Sequence, residues 1–273
     1  LGGIEWVTSR LTDAEGRVRV QNHAVVWSGM TAERKARLCG DSNEETLACP
    51  EPGYRKTRAA LNGKLKSVLV NDCLSDAVIY LGAAGPVLRE DFRRVVESIG
   101  EARSARQNAP LFIITESLGS KILLDAVTAP SGEDGQEIAR ILAPTRQIFM
   151  AANQAALLSL TEGEAPAMEG AAGDGLGQFL DRLYAARRAP EAGPEAAAPE
   201  EPITLVAFTD PNDLLSYALA DRGDARVVNV TVSNDSTWFW LIENPYTAHT
   251  GYLEQDAVWE LIACGSDRRC ATE

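Results

Sequence analysis

One serine in this chain has surroundings that could make its hydroxyl chemically reactive. Ser117 follows a continuous apolar segment and lies in the run Thr115-Glu116-Ser117-Leu118-Gly119. A serine hydroxyl becomes a nucleophile only when a nearby base removes its proton, so it has to be exposed on a sharp turn flanked by small residues. Gly119 meets that need, whereas Thr115 stands where the usual pattern has a second glycine. The pattern predicts a nucleophile, although a serine at the start of a helix can also be only a cap.

Two histidines are candidates for the base, because the chain contains no others. His23 lies in an early strand-like segment, well before the serine. His249 lies in a predicted loop after the last predicted strand, and a parallel sheet places its reacting groups at the carboxyl ends of its strands. We therefore predict that His249 is the base. The alternative is a surface histidine without a chemical role.

The acid is expected between the serine and the histidine in the chain, if the order is serine, acid, histidine. Two aspartates, Asp210 and Asp213, follow a predicted strand in that interval. Asp210 precedes Pro211, which is typical of the start of a turn. Asp213 precedes two apolar residues that would bury its carboxylate, so Asp213 is favoured and Asp210 stays open. The acid would hold the histidine tautomer and stabilise the imidazolium.

Alternating strands and helices are needed to bring these three side chains together. Apolar runs of strand length predict buried strands over residues 110–115, 147–152, 203–208 and 226–232. A helix is predicted directly after the serine, over residues 121–127. Upstream, the patterns predict a strand pair over 17–30 and helices over 31–38, 65–81 and 90–105. The sequence therefore predicts an α/β fold, with a mostly parallel central sheet and helices on both faces.

One compositional change interrupts this pattern. The length of 273 residues suits one large domain, so residues 1–273 are expected to form a single unit. Within it, residues 161–202 are rich in Gly, Ala, Glu and Pro around a helix-like segment at 178–184. We predict a mobile insertion before the acid-bearing strand. It is either a solvated surface excursion or a lid over the substrate cleft.

The net charge of −13 narrows the range of partners. Nucleic acid is disfavoured, because proteins gain most of that affinity by neutralising phosphates with Lys and Arg. No run reaches the roughly 20 apolar residues that span a bilayer, and an acidic surface repels anionic lipids. Peripheral contact with lipid would have to use apolar surface near the site. The sequence says nothing about the oligomeric state.

The five cysteines suggest disulfides rather than a metal site, because no CxxC pair or Cys/His cluster is present. Cys39 and Cys49 bracket one loop and Cys264 and Cys270 another, which leaves Cys73 over. Two local disulfides of this kind favour export to the periplasm or the outside of the cell. The alternative, with all five cysteines reduced, keeps a cytoplasmic location open.

Ser117 in its turn, Asp213 after a later strand and His249 after the last strand resemble the α/β-hydrolase superfamily over about residues 17–265. The resemblance implies an eight-stranded, mostly parallel sheet of the α/β-hydrolase type. It also implies a serine esterase or lipase that cleaves a small-molecule or lipid ester through an acyl-enzyme, without cofactor or metal. The oxyanion hole would use the amide of Leu118 and a second donor at Ser28 or Gly29.

Four other functions compete with ester hydrolysis. An acyltransferase or a thioesterase could use the same triad, and a binding protein could keep the same fold without catalysis. A dinucleotide-binding protein is disfavoured, since no GxGxxG follows the first strand. The complete set of serine, aspartate and histidine favours an enzyme over a binding protein.

Overall fold

The computed structural model describes residues 4–12, 14–16, 18–38, 59–104, 111–128, 132–161, 175–189, 201–237 and 243–264. It divides into two compact units, residues 1–107 and residues 108–273. The expectation of one domain over residues 1–273 therefore stays a prediction.

The first unit begins with a hairpin. Strand β1 (Glu5–Thr12) pairs antiparallel with β2 (Val18–Val26), and Gly16 in the turn has a φ of +77° that suits glycine. The sequence analysis expected both strands of a pair within residues 17–30, which is wrong. The partner strand precedes that segment, and it escaped notice because it is rich in polar residues.

Helices form the rest of the first unit. They are α1 (Gly29–Lys35), α2 (Ala60–Lys64), a π-helical segment (Leu65–Leu74), α3 (Ser75–Leu81) and α4 (Gly85–Ser104). The predictions of helix over 65–81 and 90–105 are confirmed. An ion pair of 3.1 Å between Lys35 and Asp76 joins α1 to α3. By length and apolar character, no individual helix in the described part of the chain could cross a bilayer. Residues 65–81 and 85–103 pass that test only as a pair, bent by 93°.

A four-stranded parallel sheet forms the centre of the second unit. Its order is β3 (Leu111–Glu116), β4 (Thr145–Ala151), β5 (Thr204–Thr209) and β6 (Arg226–Thr231). All three pairings are parallel, so the four carboxyl ends lie at one edge of the sheet. The predicted strands and the α/β arrangement are confirmed. The described residues of this unit hold four strands rather than the eight that the resemblance implies.

Helices connect these strands and follow them. They are α5 (Gly119–Thr128), α6 (Gly132–Leu142), α7 (Ala155–Leu158), α8 (Gly175–Arg188), α9 (Pro245–Thr250) and α10 (Asp256–Cys264). Short 3₁₀ turns cover Ser159–Thr161 and Tyr252–Glu254. Helix α5 contacts β3, and α5, α6 and α8 contact one another. Parallel strands require crossovers of this kind.

The core of the second unit lies around β4 and β5, whose side chains are buried on both faces of the sheet. On one face the rings of Phe149 and Phe208 stack with centroids 6.4 Å apart. Tyr252 and Val258 pack against them. Burying each such side chain contributes about 1.5–3 kcal/mol, so this cluster fixes the strand ends that carry the site.

Helix α8 lies where the sequence analysis expected a mobile insertion. Its side chains Phe179, Leu180 and Leu183 are completely buried, and the helix packs on α5 and α6. These contacts place α8 in the packed core of the second unit, and the mobile insertion or lid over residues 161–202 stays a prediction. The flanking residues 162–174 and 190–200 lie outside the described residues.

The cysteine predictions are only partly within the described chain. Cys73 is half-buried in the π-helical segment, and Cys264 is the last residue of α10. Cys39, Cys49 and Cys270 lie outside the described residues. Both proposed disulfides therefore stay predictions.

Candidate active site

Ser117 occupies a strained turn between β3 and α5. Its φ is +53°, a left-handed conformation that costs a residue with a side chain about 1–3 kcal/mol. Its amide donates to the carbonyl of Ala151 over 2.9 Å, and its carbonyl accepts from the hydroxyl of Ser120 over 2.9 Å. These bonds hold the turn at the carboxyl edge of the sheet, where a strained residue often has a functional role.

A second strained residue lies beside this turn. Ala152 follows β4 with a φ of +49°, and it and Ser117 are the two non-glycine residues with positive φ in the described chain. The two turns are neighbours, because Glu116 pairs with Ala151 at the ends of β3 and β4. The sheet therefore ends in two adjacent sharp turns rather than one.

Thr115 stands where the usual nucleophile turn has its first glycine, and its side chain fits there. Its side chain is buried, and its hydroxyl donates to the carbonyl of Phe149 over 3.4 Å. A Cβ placed at Gly119 would lie 3.9 Å from the Cβ of Thr115, which is ordinary contact. Because there is room at both positions, the threonine does not distort the turn.

His249 lies opposite the serine hydroxyl. Its Nε2 is 2.9 Å from the Oγ of Ser117, and the imidazole is 3% exposed. The residue sits in α9, so the prediction of a loop at this position is wrong. The helix begins with Asn244, whose side chain accepts from the amide of Tyr246, and with Pro245 at its first position. Both are helix-start signals that the sequence analysis overlooked.

Asp213 lies on the other side of the imidazole. The Nδ1 of His249 is 2.9 Å from Oδ1 and 3.0 Å from Oδ2 of Asp213. A carboxylate can only accept, so Nδ1 carries the proton and Nε2 presents a lone pair to the serine hydroxyl. The amide of Leu215 also donates to Oδ1 over 2.9 Å. The structure thus brings Ser117, His249 and Asp213 into one hydrogen-bonded chain.

Asp210, the other candidate acid, has a different role. Its Oδ1 accepts from the amide of Asn212 over 2.8 Å, and its Oδ2 accepts from the amide of Asn234 over 2.7 Å. The carboxylate therefore stabilises the turn after β5 and fastens it to the segment after β6. The side chain of Asn212 also donates to Oδ1 of Asp210 and to Glu243, and so links these two carboxyl groups.

Two asparagines that the sequence analysis missed fix the loops of the site. The side chain of Asn153, after β4, donates to the carbonyl of Tyr217 over 3.3 Å and accepts from the amide of Ala155 over 3.0 Å. The side chain of Asn234, after β6, donates to the carbonyl of Ala248 over 2.6 Å. Each asparagine ties one strand-end loop to the next. No local sequence pattern predicts the contacts with Tyr217 and Ala248, because these partners are 64 and 14 residues away in the chain.

The remaining residues that the sequence analysis considered are Leu118, Ser28, Gly29 and His23. Leu118 follows the serine and is buried, at the start of α5. Ser28 and Gly29 begin α1 in the first unit, so their part in an oxyanion hole stays a prediction. His23 also belongs to the first unit, in β2, where Thr8 and Gln21 hydrogen-bond to its ring.

A buried pair of carboxyl groups lies next to the site. The side chain of Asn212 donates to Asp210 over 3.3 Å and to Glu243 over 2.6 Å, and the amide of Asp235 donates to Glu243 over 3.1 Å. Burial raises the pKa of Glu243, and the neighbouring charge of Asp210 raises it further. Glu243 therefore holds its proton more tightly in the folded protein than in the unfolded chain.

This raised pKa predicts a pH-dependent loss of stability. A proton bound more tightly in the folded state stabilises it at low pH, and that stabilisation is lost as the pH rises above about 4.3, the ordinary value for Glu. We expect Glu243→Gln, which cannot ionise, to gain stability relative to wild type as the pH rises through this range. Urea unfolding of both proteins between about pH 4 and 7 measures the difference.

A second variant provides an opposite control. The pKa of Glu90 is lowered, chiefly by its hydrogen bond from Arg93. Glu90→Gln should therefore lose stability relative to wild type as the pH rises, by a small amount because the pair is exposed. A difference between Glu243→Gln and wild type that stayed constant with pH would contradict the explanation.

Comparisons with known proteins add no identification. No family model, curated protein or solved structure matches the chain. Functional inference therefore depends on the geometry of the site.

Proposed function

We propose that this protein is a serine hydrolase that cleaves carboxylic esters through an acyl-enzyme intermediate. The observation that carries the proposal is the unbroken hydrogen-bonded chain from the Oγ of Ser117 through His249 to Asp213, with each link between 2.9 and 3.0 Å. The strained turn at Ser117 supports it, because strain at an exposed nucleophile is a recurrent feature of such enzymes. The substrate would be a small-molecule or lipid ester.

Each side chain has a defined part in the proposed reaction. As the Oγ of Ser117 attacks the carbonyl carbon, its proton passes to the Nε2 of His249, and the carbonyl oxygen becomes an oxyanion. Collapse of this intermediate expels the alcohol, which takes the proton from Nε2 and leaves an acyl-serine. A water molecule then attacks the acyl-serine and passes its proton to Nε2 of His249. Collapse of this second intermediate releases the carboxylic acid and returns the proton to the Oγ of Ser117. Asp213 stabilises the imidazolium that exists in between.

The oxyanion needs hydrogen-bond donors. The amide of Leu118 is the proposed first donor, since it directly follows the nucleophile at the start of a ten-residue helix. The positive end of the dipole of α5 favours negative charge at the same point.

We further propose that the second unit has an α/β-hydrolase-type fold. Ser117 follows β3, Asp213 follows β5 and His249 follows β6, and all three strands belong to one parallel sheet of order β3-β4-β5-β6. This order of triad residues and their position at the carboxyl edge support the proposal. Acyl transfer to another acceptor and thioester hydrolysis would use the same three residues, so the experiment has to separate them.

The decisive experiment combines labelling with turnover. A fluorophosphonate probe is expected to modify Ser117 in the folded protein, as identified by peptide mapping, and heat-denatured protein is the control. Short-chain p-nitrophenyl esters should be hydrolysed, and parallel assays with a thioester and with an added alcohol acceptor test the two alternatives. A folded protein that neither reacts with the probe nor turns over any of these substrates would refute the proposal and favour a binding role.

A further inference from the structure

Tyr252 lies behind the acid of the site, completely buried. Its hydroxyl oxygen is 2.9 Å from the Oδ2 of Asp213, 2.8 Å from the amide nitrogen of Asp210 and 3.0 Å from the Oγ of Ser216. Three partners around one buried hydroxyl are the maximum that its single proton and two lone pairs can satisfy. The phenol is thus an organised part of the site rather than a filler of the core.

The chemistry of the partners fixes the direction of each bond. The amide of Asp210 can only donate to the hydroxyl, and the carboxylate of Asp213 can only accept from it. The phenol proton therefore points to Asp213, and the hydroxyl of Ser216 donates to the phenol oxygen. The pKa of Tyr252 is raised, mainly by burial, so the phenol keeps this proton.

The two oxygens of Asp213 are consequently held from separate directions. Oδ1 accepts from the amide of Leu215 over 2.9 Å, and Oδ2 accepts from Tyr252 over 2.9 Å. The imidazole of His249 lies between them, at 2.9 and 3.0 Å. With one donor on each oxygen, the carboxylate cannot rotate away from the imidazole without breaking a buried hydrogen bond, which is costly.

The base and the tyrosine belong to one short segment, three residues apart. Between them, Gly251 allows a close approach: a Cβ there would lie 2.8 Å from the carbonyl oxygen of Thr247 and 3.1 Å from the Cβ of Asn234. The chain can therefore turn sharply after α9 and direct both His249 and Tyr252 at the same carboxylate.

We propose that Tyr252 is a positioning residue, whose hydroxyl holds the carboxylate of Asp213 in the orientation that His249 requires. The inference rests on the proposed function, since positioning matters only if His249 acts as a base. Tyr252 does not touch the reacting atoms. It acts through Asp213, and its contribution is to the rate of the chemical step rather than to substrate binding.

The test is Tyr252→Phe, which removes one oxygen and keeps the packed ring. We expect kcat to fall by about 10- to 100-fold, as for the loss of one hydrogen bond to a charged group, with KM changed by less than about twofold. The acid limb of the pH profile of kcat/KM should move to higher pH. The reason is that the phenol proton offsets part of the Asp213 charge, and its removal lets that charge stabilise the imidazolium more strongly.

A second readout does not depend on activity. The chain has only two histidines, so NMR can follow the Nδ1 proton of His249 directly, with His23 as an internal reference. This proton lies in the hydrogen bond to Asp213, so its chemical shift is expected to change in Tyr252→Phe, while the signals of His23 stay in place. Glu116, whose carboxyl group also interacts with His249, is the same in both proteins and does not affect the difference.

Two control variants make the test specific. Tyr246→Phe removes a phenol hydroxyl that is exposed on α9 and should change neither kcat nor the NMR signal of His249. Ser216→Ala removes the hydroxyl that donates to Tyr252. It should change kcat and the NMR signal of His249 in the same direction as Tyr252→Phe, but by a smaller amount. It replaces Tyr252→Phe if that variant does not fold.

The possible failures are distinguishable. Wild-type protein without probe labelling or turnover would overturn the proposed function, whereas the NMR signal of His249 would still report on the link from Tyr252 to His249. Active wild type, combined with an unchanged kcat or with an unchanged His249 signal in Tyr252→Phe, would overturn the positioning role alone.

Discussion

Replacing Ser117 with alanine is expected to lower kcat for ester hydrolysis by about a millionfold and to abolish labelling by a fluorophosphonate. A loss of this size is seen when the nucleophile of a serine hydrolase is removed, because no acyl-enzyme can form. Only the hydroxyl group is lost, so the imidazole of His249 keeps its hydrogen bonds to Asp213 at 2.9 and 3.0 Å. Activity with p-nitrophenyl esters and peptide mapping after labelling measure the two effects.

Ser117→Gly is the informative companion variant. It also lacks the hydroxyl and should be equally inactive, but glycine adopts a φ of +53° without strain. We expect its free energy of unfolding to exceed that of Ser117→Ala by about 1 kcal/mol, from urea unfolding. Substantial turnover in either variant would show that another residue is the nucleophile. Equal stabilities would show that the turn stores no strain.

The sheet and its helices could be predicted because burial leaves a local signature. Strands β4 and β5 are covered on both faces over residues 148–151 and 205–208, which form continuous apolar runs in the sequence. Partly buried strands are harder to predict from the sequence, because they lack a continuous apolar run. Strand β1 carries polar residues along most of its length, and nothing local distinguishes it from a loop.

The candidate site was partly accessible to the same reasoning. Only two histidines were available, and strand-end positions favoured His249 over His23. The choice of Asp213 over Asp210 followed from the proline that marks a turn. The helical position of His249 was missed although Asn244 and Pro245 mark a helix start in the sequence. The role of Tyr252 was missed because a hydrogen bond between residues 39 apart depends on how the loops pack. The helix-like segment at 178–184 was predicted, but its low-complexity flanks gave no indication that α8 is buried.

Asp213→Asn is expected to lower kcat by about ten-thousandfold while leaving the fold intact. In serine proteases the corresponding change has an effect of this size. The carboxylate accepts from three donors, namely Leu215, Tyr252 and His249. An amide presents an N–H group where one acceptor was, so one of these donors loses its partner. The negative charge that stabilises the imidazolium is lost as well.

The matched control is Asp210→Asn, which makes the same chemical change three residues earlier. Asp210 fastens the turn after β5 to Asn234 over 2.7 Å, so its replacement should cost stability. Because its carboxylate does not hydrogen-bond to His249, we expect kcat to fall by less than about tenfold, the equivalent of roughly one neutral hydrogen bond. Steady-state kinetics of the two variants side by side make the comparison. If Asp210→Asn were the more damaging change for kcat, Asp213 would not be the acid, and the charge that supports His249 would have to come from the pair that Asp210 forms with Glu243.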